Sequence, residues 1–162
     1  RWLTDSFRIG AAYIAEGDFP DPGTQVPEMS RRFRGLPAWA TLKALGRQGY
    51  REIVQRCLDN ASLLASWLEA EPDFELLAPV NLNIVCFRFA PAANEAARDE
   101  LNRRLVKAVQ RDGRAFVTPT TWRGKAAIRA AFDNWATTPD DTRVLFDALT
   151  ELGRGLLNES GA

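Results

Sequence analysis

The apolar residues of this chain change their spacing near residue 74, and this change restricts the fold more than any other feature. From residue 50 to residue 70 they recur every three or four positions, which is the period of an amphipathic helix. After residue 74 they form short strand-like runs, interrupted by two more helical stretches. The order strand, strand, helix, strand, strand, helix predicts an α+β fold with an antiparallel sheet and helices on one face.

Individual elements follow from the apolar runs and from the residues that begin and end them. Asn94 and Thr138 are typical N-terminal helix caps. In the strongest strand pattern, Val85, Phe87 and Phe89 alternate with the residues between them and therefore share one face. The chain predicts helices and strands over these ranges: helices at 33–46, 50–70, 94–110 and from 138 onward, and strands at 74–80, 82–90, 115–122 and 125–132.

The overall charge and the absence of one residue type exclude several functions. The chain has 21 basic and 21 acidic residues and no histidine. A net charge of zero argues against nucleic-acid binding, which is usually supported by a basic excess. Without histidine, the segment cannot perform Ser-His-Asp or Cys-His catalysis or bind a metal through imidazole. Any chemistry here uses tyrosine, arginine, carboxylates or a cofactor.

The cysteines and the start of the chain lead to two expectations, one about cellular location and one about whether the chain is part of a longer protein. Cys57 and Cys86 lie in apolar runs, which predicts two small buried side chains in a reduced, cytoplasmic protein. No apolar run is long enough to span a membrane, and no secretory leader opens the chain. The chain begins at Arg1, and its only methionine is Met29. We therefore expect it to be part of a longer protein.

Arg129 lies in a strongly apolar predicted strand, where a charged side chain is costly unless it is paired. Two interpretations are open: a structural ion pair with Asp133, Asp140 or another acid, or a role in a site. By contrast, Tyr13 on its own is a packing tyrosine before a long loop at 15–30, which contains three prolines and two glycines.

Four segments, taken together, resemble a known family. They are QVPEMSRRFRGLPAW from Gln25 to Trp39, LKALGRQGYREIV, NLNIVCFRF and AIRAAF. In this order and at these distances, they resemble the group II pyridoxal-phosphate-dependent decarboxylases, and most of all their aromatic amino-acid branch.

The resemblance implies the large aspartate-aminotransferase-like fold, known as fold type I. Residues 1–32 would be the end of the large domain with a mobile catalytic loop. Residues 33–72 would be connecting helices, and residues 73–162 would be the C-terminal small α+β domain. A homodimer is also implied, acting on a small amino-acid substrate and without nucleic acid or membrane as a partner.

The resemblance also gives roles to four residues. Tyr13, which follows the family's pattern of Leu-Thr, Phe-Arg and tyrosine, is implied to be the proton donor on the mobile loop. Tyrosine at this position favours simple decarboxylation over aldehyde formation. Arg129 is implied to bind a substrate carboxylate. Ser30 and Arg31 are implied to approach the cofactor phosphate of the neighbouring subunit, although relatives often have glycine in place of Ser30.

The lysine that would hold pyridoxal 5'-phosphate is not recognisable in this segment. In the family that lysine follows a histidine, whereas Lys43, Lys107 and Lys125 follow leucine, valine and glycine. We expect the cofactor lysine to lie upstream of Arg1. The segment alone would then be inactive, and the identity of the substrate amino acid stays open.

Two other functions are left open by the sequence. One is a non-catalytic α+β module for binding or dimerisation. The other, ranked last, is a nucleic-acid binder that would use the basic cluster between Arg31 and Arg34 with nearby aromatic residues.

Overall fold

The structure, a computed structural model, describes residues 5–6, 32–91 and 94–160. Its helices and strands are, in chain order, α1 (Gly35–Ala70), β1 (Phe74–Leu76), β2 (Ile84–Phe89), α2 (Glu95–Asp112), β3 (Thr118–Trp122), β4 (Lys125–Ala131) and α3 (Pro139–Ser160). The chain divides into two compact units, residues 1–46 and 47–162. The domain division expected from the resemblance stays a prediction.

Helix α1 is in fact two helices joined at Gly46. The backbone there has φ 62° and ψ −172°, a conformation that essentially only glycine adopts. The sequence predicts a break at this position, between the helix that ends at 46 and the one that begins at 50.

The four strands form one antiparallel sheet in the order β1-β2-β4-β3. In the register, Phe87 lies opposite Ile128, and Cys86 lies opposite Arg129. Strands β3 and β4 are joined by a two-residue turn at Arg123 and Gly124, both with positive φ. A turn of this kind matches the twist of a tight hairpin. The predicted antiparallel sheet is confirmed.

One face of the sheet packs against the helices and forms the core. Its central side chains are fully buried and come from α1, α2, α3, β2 and β4: Leu64, Leu68, Val85, Phe87, Phe89, Leu105, Val109, Ile128 and Leu149. Burial of each large apolar side chain contributes about 1.5–3 kcal/mol, so this cluster accounts for the placement of α2, α3 and the part of α1 after Gly46 on the same face. The predicted layer arrangement is therefore confirmed.

Helix α2 inserts polar side chains where β2 and β4 stop pairing. The ladder ends at Phe87 and Ile128, so the next backbone groups need other partners. The Asn102 side-chain amide donates to the Phe89 carbonyl at 2.8 Å and accepts from the Phe89 N–H at 2.9 Å. On the other strand, the Ala126 N–H donates to Asp99 Oδ1 at 2.8 Å. These bonds fix the position of α2 relative to the sheet.

The predicted helix caps are present. Asn94 Oδ1 accepts from the Ala97 N–H at 2.8 Å, at the start of α2. Thr138 Oγ1 accepts from the Asp141 N–H at 3.2 Å, and the Asp141 carboxylate accepts from the Thr138 N–H at 2.8 Å. These contacts satisfy N–H groups that have no partner inside the helix.

Candidate functional site

The sheet face that does not pack against the helical core is the candidate site. We call it the open face, and alternation along the strands defines its residues as Glu75, Ile84, Cys86, Arg88, Thr118, Thr120, Trp122, Lys125, Ala127, Arg129 and Ala131. Ile84 is 39% exposed, and Cys86 and Arg129 are half-buried. The face is thus mixed, with apolar side chains beside threonines, a glutamate, a lysine and two arginines.

Arg129 lies in the middle of β4, between Cys86 on β2 and Thr118 on β3. The Thr118 hydroxyl donates to the Arg129 main-chain carbonyl at 3.3 Å. Within residues 32–91 and 94–160, no carboxylate forms an ion pair with the Arg129 guanidinium, and this includes Asp133 and Asp140. The structural ion pair that the sequence leaves open is therefore not seen in this part of the chain.

Arg88, the second arginine of the open face, was missed by sequence reasoning. It is only 1% exposed and carries two carboxylate partners. Its Nε donates to Glu75 Oε2 at 2.7 Å, and its Nη1 donates to Glu95 Oε2 at 2.6 Å. Arg88, like Arg129, is a charged residue within an apolar strand. The structure adds the distinction between a satisfied guanidinium and one without an acid partner.

The pKa values of the Arg88 cluster reflect this pairing. Hydrogen bonding to Arg88 holds the pKa of Glu95 below its ordinary value, and the Glu95 carboxylate raises the pKa of Arg88. Beside Arg129, burial raises the pKa of the Cys86 thiol. Cys86 is therefore a neutral neighbour of Arg129 at pH 7. It is also only half-buried, whereas the sequence predicts two buried cysteines and Cys57 alone is buried.

The described residues do not build a covalent site for pyridoxal phosphate. Lys43 and Lys107 are exposed on helices α1 and α2, and Lys125 begins β4 directly after the hairpin turn. The sequence has no histidine to stack on the cofactor ring. Among the described residues, no cluster of acidic, cysteine or histidine side chains is suited to hold a metal.

Three of the four site residues predicted from the sequence lie outside the described part of the chain. These are Tyr13, Ser30 and Arg31, and their roles stay predictions. Arg129 is the one that the structure places, on the open face.

Comparison with a family model assigns the first half of the chain. The model described as the pyridoxal-dependent decarboxylase conserved domain matches residues 1–90. Among curated relatives, an aromatic-L-amino-acid decarboxylase of Bacillus atrophaeus is 29% identical over 151 residues, which are 87% of this chain and 31% of that protein. A tyrosine decarboxylase of Arabidopsis thaliana is 33% identical over 104 residues, or 64% of this chain and 19% of that protein.

Solved structures give the same family and fold. The structure of Oryza sativa TDC with PLP and tryptamine has a TM-score of 0.73 and 27% identity, and it covers 78% of this chain and 28% of that one. Mouse CSAD, at 20% identity, has a TM-score of 0.79 over 93% of this chain and 34% of its own, a likeness of fold alone. The expected fold type I is confirmed.

The chain spans between 19% and 31% of the length of the curated relatives it matches. In the described residues, no helix has the length and hydropathy needed to cross a membrane. The family model covers more than half of the chain, and the predicted resemblance to group II, with relatives in its aromatic amino-acid branch, is confirmed. The chain belongs to the pyridoxal-dependent decarboxylase family.

Proposed function

We propose that this chain is the C-terminal part of a decarboxylase that converts an L-amino acid, preferably an aromatic one, to its amine and carbon dioxide. The match to the family model supports this proposal. So do the names of its relatives, which include aromatic-L-amino-acid, tyrosine and tryptophan decarboxylases. When bound, pyridoxal 5'-phosphate would supply the electron sink for cleavage of the bond between Cα and the carboxylate.

One observation carries the proposal within this chain: the half-buried guanidinium of Arg129 lies on the open face without a carboxylate partner in the described residues. A planar guanidinium can donate two parallel hydrogen bonds to a carboxylate. In partly desolvated surroundings such a bond is stronger than in water. We assign Arg129 to the substrate carboxylate, and we assign the apolar side chains of Ile84 and Ala131 to the surroundings that exclude water from it.

The roles of the three residues outside the described part rest on the resemblance. Tyr13 is proposed as the acid that protonates the carbon from which carbon dioxide leaves. A phenol keeps its proton at neutral pH because its ordinary pKa is about 10. Ser30 and Arg31 are proposed to offer backbone N–H groups to the cofactor phosphate, since amides at a helix start favour anions.

A homodimer is part of the proposal. Five large apolar side chains near the start of α1 are 40–70% exposed: Phe33, Leu36, Trp39, Leu42 and Leu45. An apolar surface of this extent is typical of a protein–protein contact. We also propose a cytoplasmic location, in keeping with two free cysteines. Because the described residues lack a covalent cofactor site, the chain alone is proposed to be inactive.

The alternative function is a non-catalytic α+β module. Residues 47–162 form one compact unit with its own core, and no buried side-chain polar atom of the described residues lacks a hydrogen-bond partner. This internal completeness favours a unit that can fold and bind without performing chemistry.

An amine-formation assay separates the two functions. The full-length protein that contains this chain, loaded with pyridoxal phosphate, is given a panel of aromatic, acidic and basic L-amino acids. The proposal predicts equimolar amine and carbon dioxide, fastest from an aromatic substrate. Residues 1–162 alone, measured in parallel, are expected to form no amine. Absence of amine from every substrate, with a folded cofactor-bound protein, would favour the non-catalytic module.

A further inference from the structure

Cys86 is a close cross-strand neighbour of Arg129 on the open face. The two residues are paired in the register of β2 and β4. The Cys86 carbonyl accepts from the Leu77 N–H at 2.9 Å, so the backbone groups of Cys86 point towards β1 and away from β4. Cys86 and Arg129 therefore form a non-hydrogen-bonded pair, in which the Cα atoms lie about 4.5 Å apart and the side chains approach each other closely.

The other direct neighbours of Arg129 on this face are also small. Thr118 pairs with it on β3, and Ala127 and Ala131 lie two residues before and after it on β4. A long side chain among short ones leaves space beside its guanidinium. No acid of the described residues forms an ion pair with Arg129 in that space.

Lys125 is a second cation on the open face, but it does not border Cys86. It lies four residues before Arg129 on β4, which places the two Cα atoms about 13 Å apart along the strand. A change in the size of the side chain at position 86 therefore acts on the surroundings of Arg129 and not on those of Lys125.

We infer that Cys86 is a positioning residue, whose small side chain leaves the space in which a substrate carboxylate meets the Arg129 guanidinium. This inference rests on the proposed role of Arg129. A larger side chain at position 86 would fill that space or displace the guanidinium. Two parallel hydrogen bonds between a guanidinium and a carboxylate require a fixed planar arrangement, so either change weakens them.

The first test measures steady-state kinetics of the full-length holoenzyme in Cys86→Leu, which enlarges the side chain. The KM for L-tryptophan should rise about tenfold, the effect of losing one charge-assisted hydrogen bond. The value of kcat should change less than about threefold, because the lost interaction is one that also holds the bound substrate. A folded Cys86→Leu with a KM within about twofold of the wild type overturns the inference.

Two further variants control for size and for position. Cys86→Ser keeps the size of the side chain and should restore the KM to within about twofold of the wild type. Thr121→Leu makes a similar enlargement at an exposed position of β3, on the opposite face of the sheet, and should leave KM unchanged. Should Cys86→Leu fail to fold, Cys86→Met replaces it with a more adaptable side chain and the same expected results.

A binding measurement gives a readout that a general distortion of the fold would not produce. Isothermal titration calorimetry of the holoenzyme compares 3-phenylpropionate, which carries a carboxylate and no amine, with phenethylamine, which carries an amine and no carboxylate. Cys86→Leu should weaken the binding of 3-phenylpropionate about tenfold and that of phenethylamine less than about twofold. Equal weakening of both compounds overturns the inference.

The variant Arg129→Met separates this inference from the proposal on which it rests. If Arg129→Met leaves KM and 3-phenylpropionate affinity unchanged, the role of Arg129 is wrong, and the inference falls with it. If Arg129→Met weakens both while Cys86→Leu weakens neither, Arg129 keeps its role and the inference about Cys86 alone fails. The double variant should bind 3-phenylpropionate no more weakly than Arg129→Met, because both changes remove the same interaction, and additive losses overturn the inference.

Discussion

At the scale of single residues, the two arginines of the open face show how a charge is accommodated in an apolar strand. Arg88 is buried because Glu75 and Glu95 bond to its guanidinium at 2.6–2.7 Å. Removing one of the two carboxylates is costly, because the buried charge is then only partly compensated. Arg129 is half-buried and has no acid partner among the described residues. That difference directs attention to Arg129 as a binding residue.

Acidification should weaken the fold partly through Glu95. Because Arg88 lowers the pKa of this carboxyl below its ordinary value of 4.5, the unfolded chain takes up the proton first as the pH falls. The stabilisation is complete above pH 4.5 and is lost as the pH falls through the folded-state pKa. Urea unfolding measured at pH 7 and at pH 3.5 gives the free energy of unfolding at each pH. The decrease in this free energy between pH 7 and pH 3.5 should be smaller in Glu95→Gln than in the wild type.

Two other carboxyls act in the same direction and set the background of that experiment. Hydrogen bonds from Arg114 lower the pKa of Asp112, and hydrogen bonds from Thr138 lower the pKa of Asp141. Both remain in the Glu95→Gln variant, so part of the acid sensitivity should persist. An identical loss of stability in the variant and the wild type would show that the Arg88 pair does not contribute.

Gly153 on α3 is predicted to tolerate no side chain. A Cβ placed there would lie 2.9 Å from Cζ of Phe89, whose ring is fully buried and cannot move aside. Gly153→Ala should lower the free energy of unfolding by about 1–3 kcal/mol through overpacking. The matched control is Gly155→Ala, where nothing lies within 4 Å, and which should be neutral or stabilise by about 0.5–1 kcal/mol. Equal unfolding midpoints for the two variants would contradict this packing.

At the scale of elements, the position of α2 depends on how the sheet opens beside it. Asn102 is 1% exposed and makes three hydrogen bonds, two to Phe89 and one to the Arg98 carbonyl at 2.7 Å. The bonds to Phe89 replace the ladder that β4 no longer provides. A side-chain amide has both a donor and an acceptor, so it can complete a strand in this way.

Replacing Asn102 should therefore have a large effect for a single polar residue. Asn102→Ala leaves the buried N–H and carbonyl of Phe89 without their partner, and we expect a loss of about 2–4 kcal/mol in chemical denaturation. Asn102→Asp, which retains the acceptor for the Phe89 N–H, should differ from Asn102→Ala in the hydrogen-exchange protection of that amide. Protection of Phe89 that is the same in both variants would exclude the proposed bond.

The elements could be predicted from the sequence because each has a local signal. The apolar period, the caps at Asn94 and Thr138, and the break near Gly46 depend on neighbouring residues only. The first strand is shorter than predicted: it ends at Leu76, although the Leu77 N–H still donates to the Cys86 carbonyl at 2.9 Å. The next stretch contains Pro79, which cannot donate to a ladder.

The candidate site could be predicted only in part, because it depends on contacts between distant residues. The sequence indicates that Arg129 is unusual for its apolar strand. It does not predict that Arg88 pairs with Glu75 and Glu95, 13 and 7 residues away in the chain, while Arg129 has no acid partner in the described part. The half-burial of Cys86 likewise follows from its place on the open face. Pairings of this kind depend on strand register and helix placement.

At the scale of the whole molecule, the described residues contain a continuous apolar core but no covalent site for the cofactor. Residues 47–162 bury a continuous apolar cluster. The described residues offer Arg129 but no covalent cofactor site, and the chain spans between 19% and 31% of the length of its curated relatives. We therefore propose that activity requires the remaining length of such a protein and a second subunit, with this chain supplying the group that binds the substrate carboxylate.

The most direct test is the KM of the full-length holoenzyme for L-tryptophan in the wild type and in Arg129→Met. Loss of a charge-assisted bidentate bond of about 1.5–3 kcal/mol predicts a KM about 10- to 150-fold higher. Arg123→Met, at the exposed hairpin turn, is the control and should change KM less than about twofold. A KM for Arg129→Met equal to that of the control, in a folded protein with cofactor bound, would contradict the assignment of Arg129 to the substrate carboxylate.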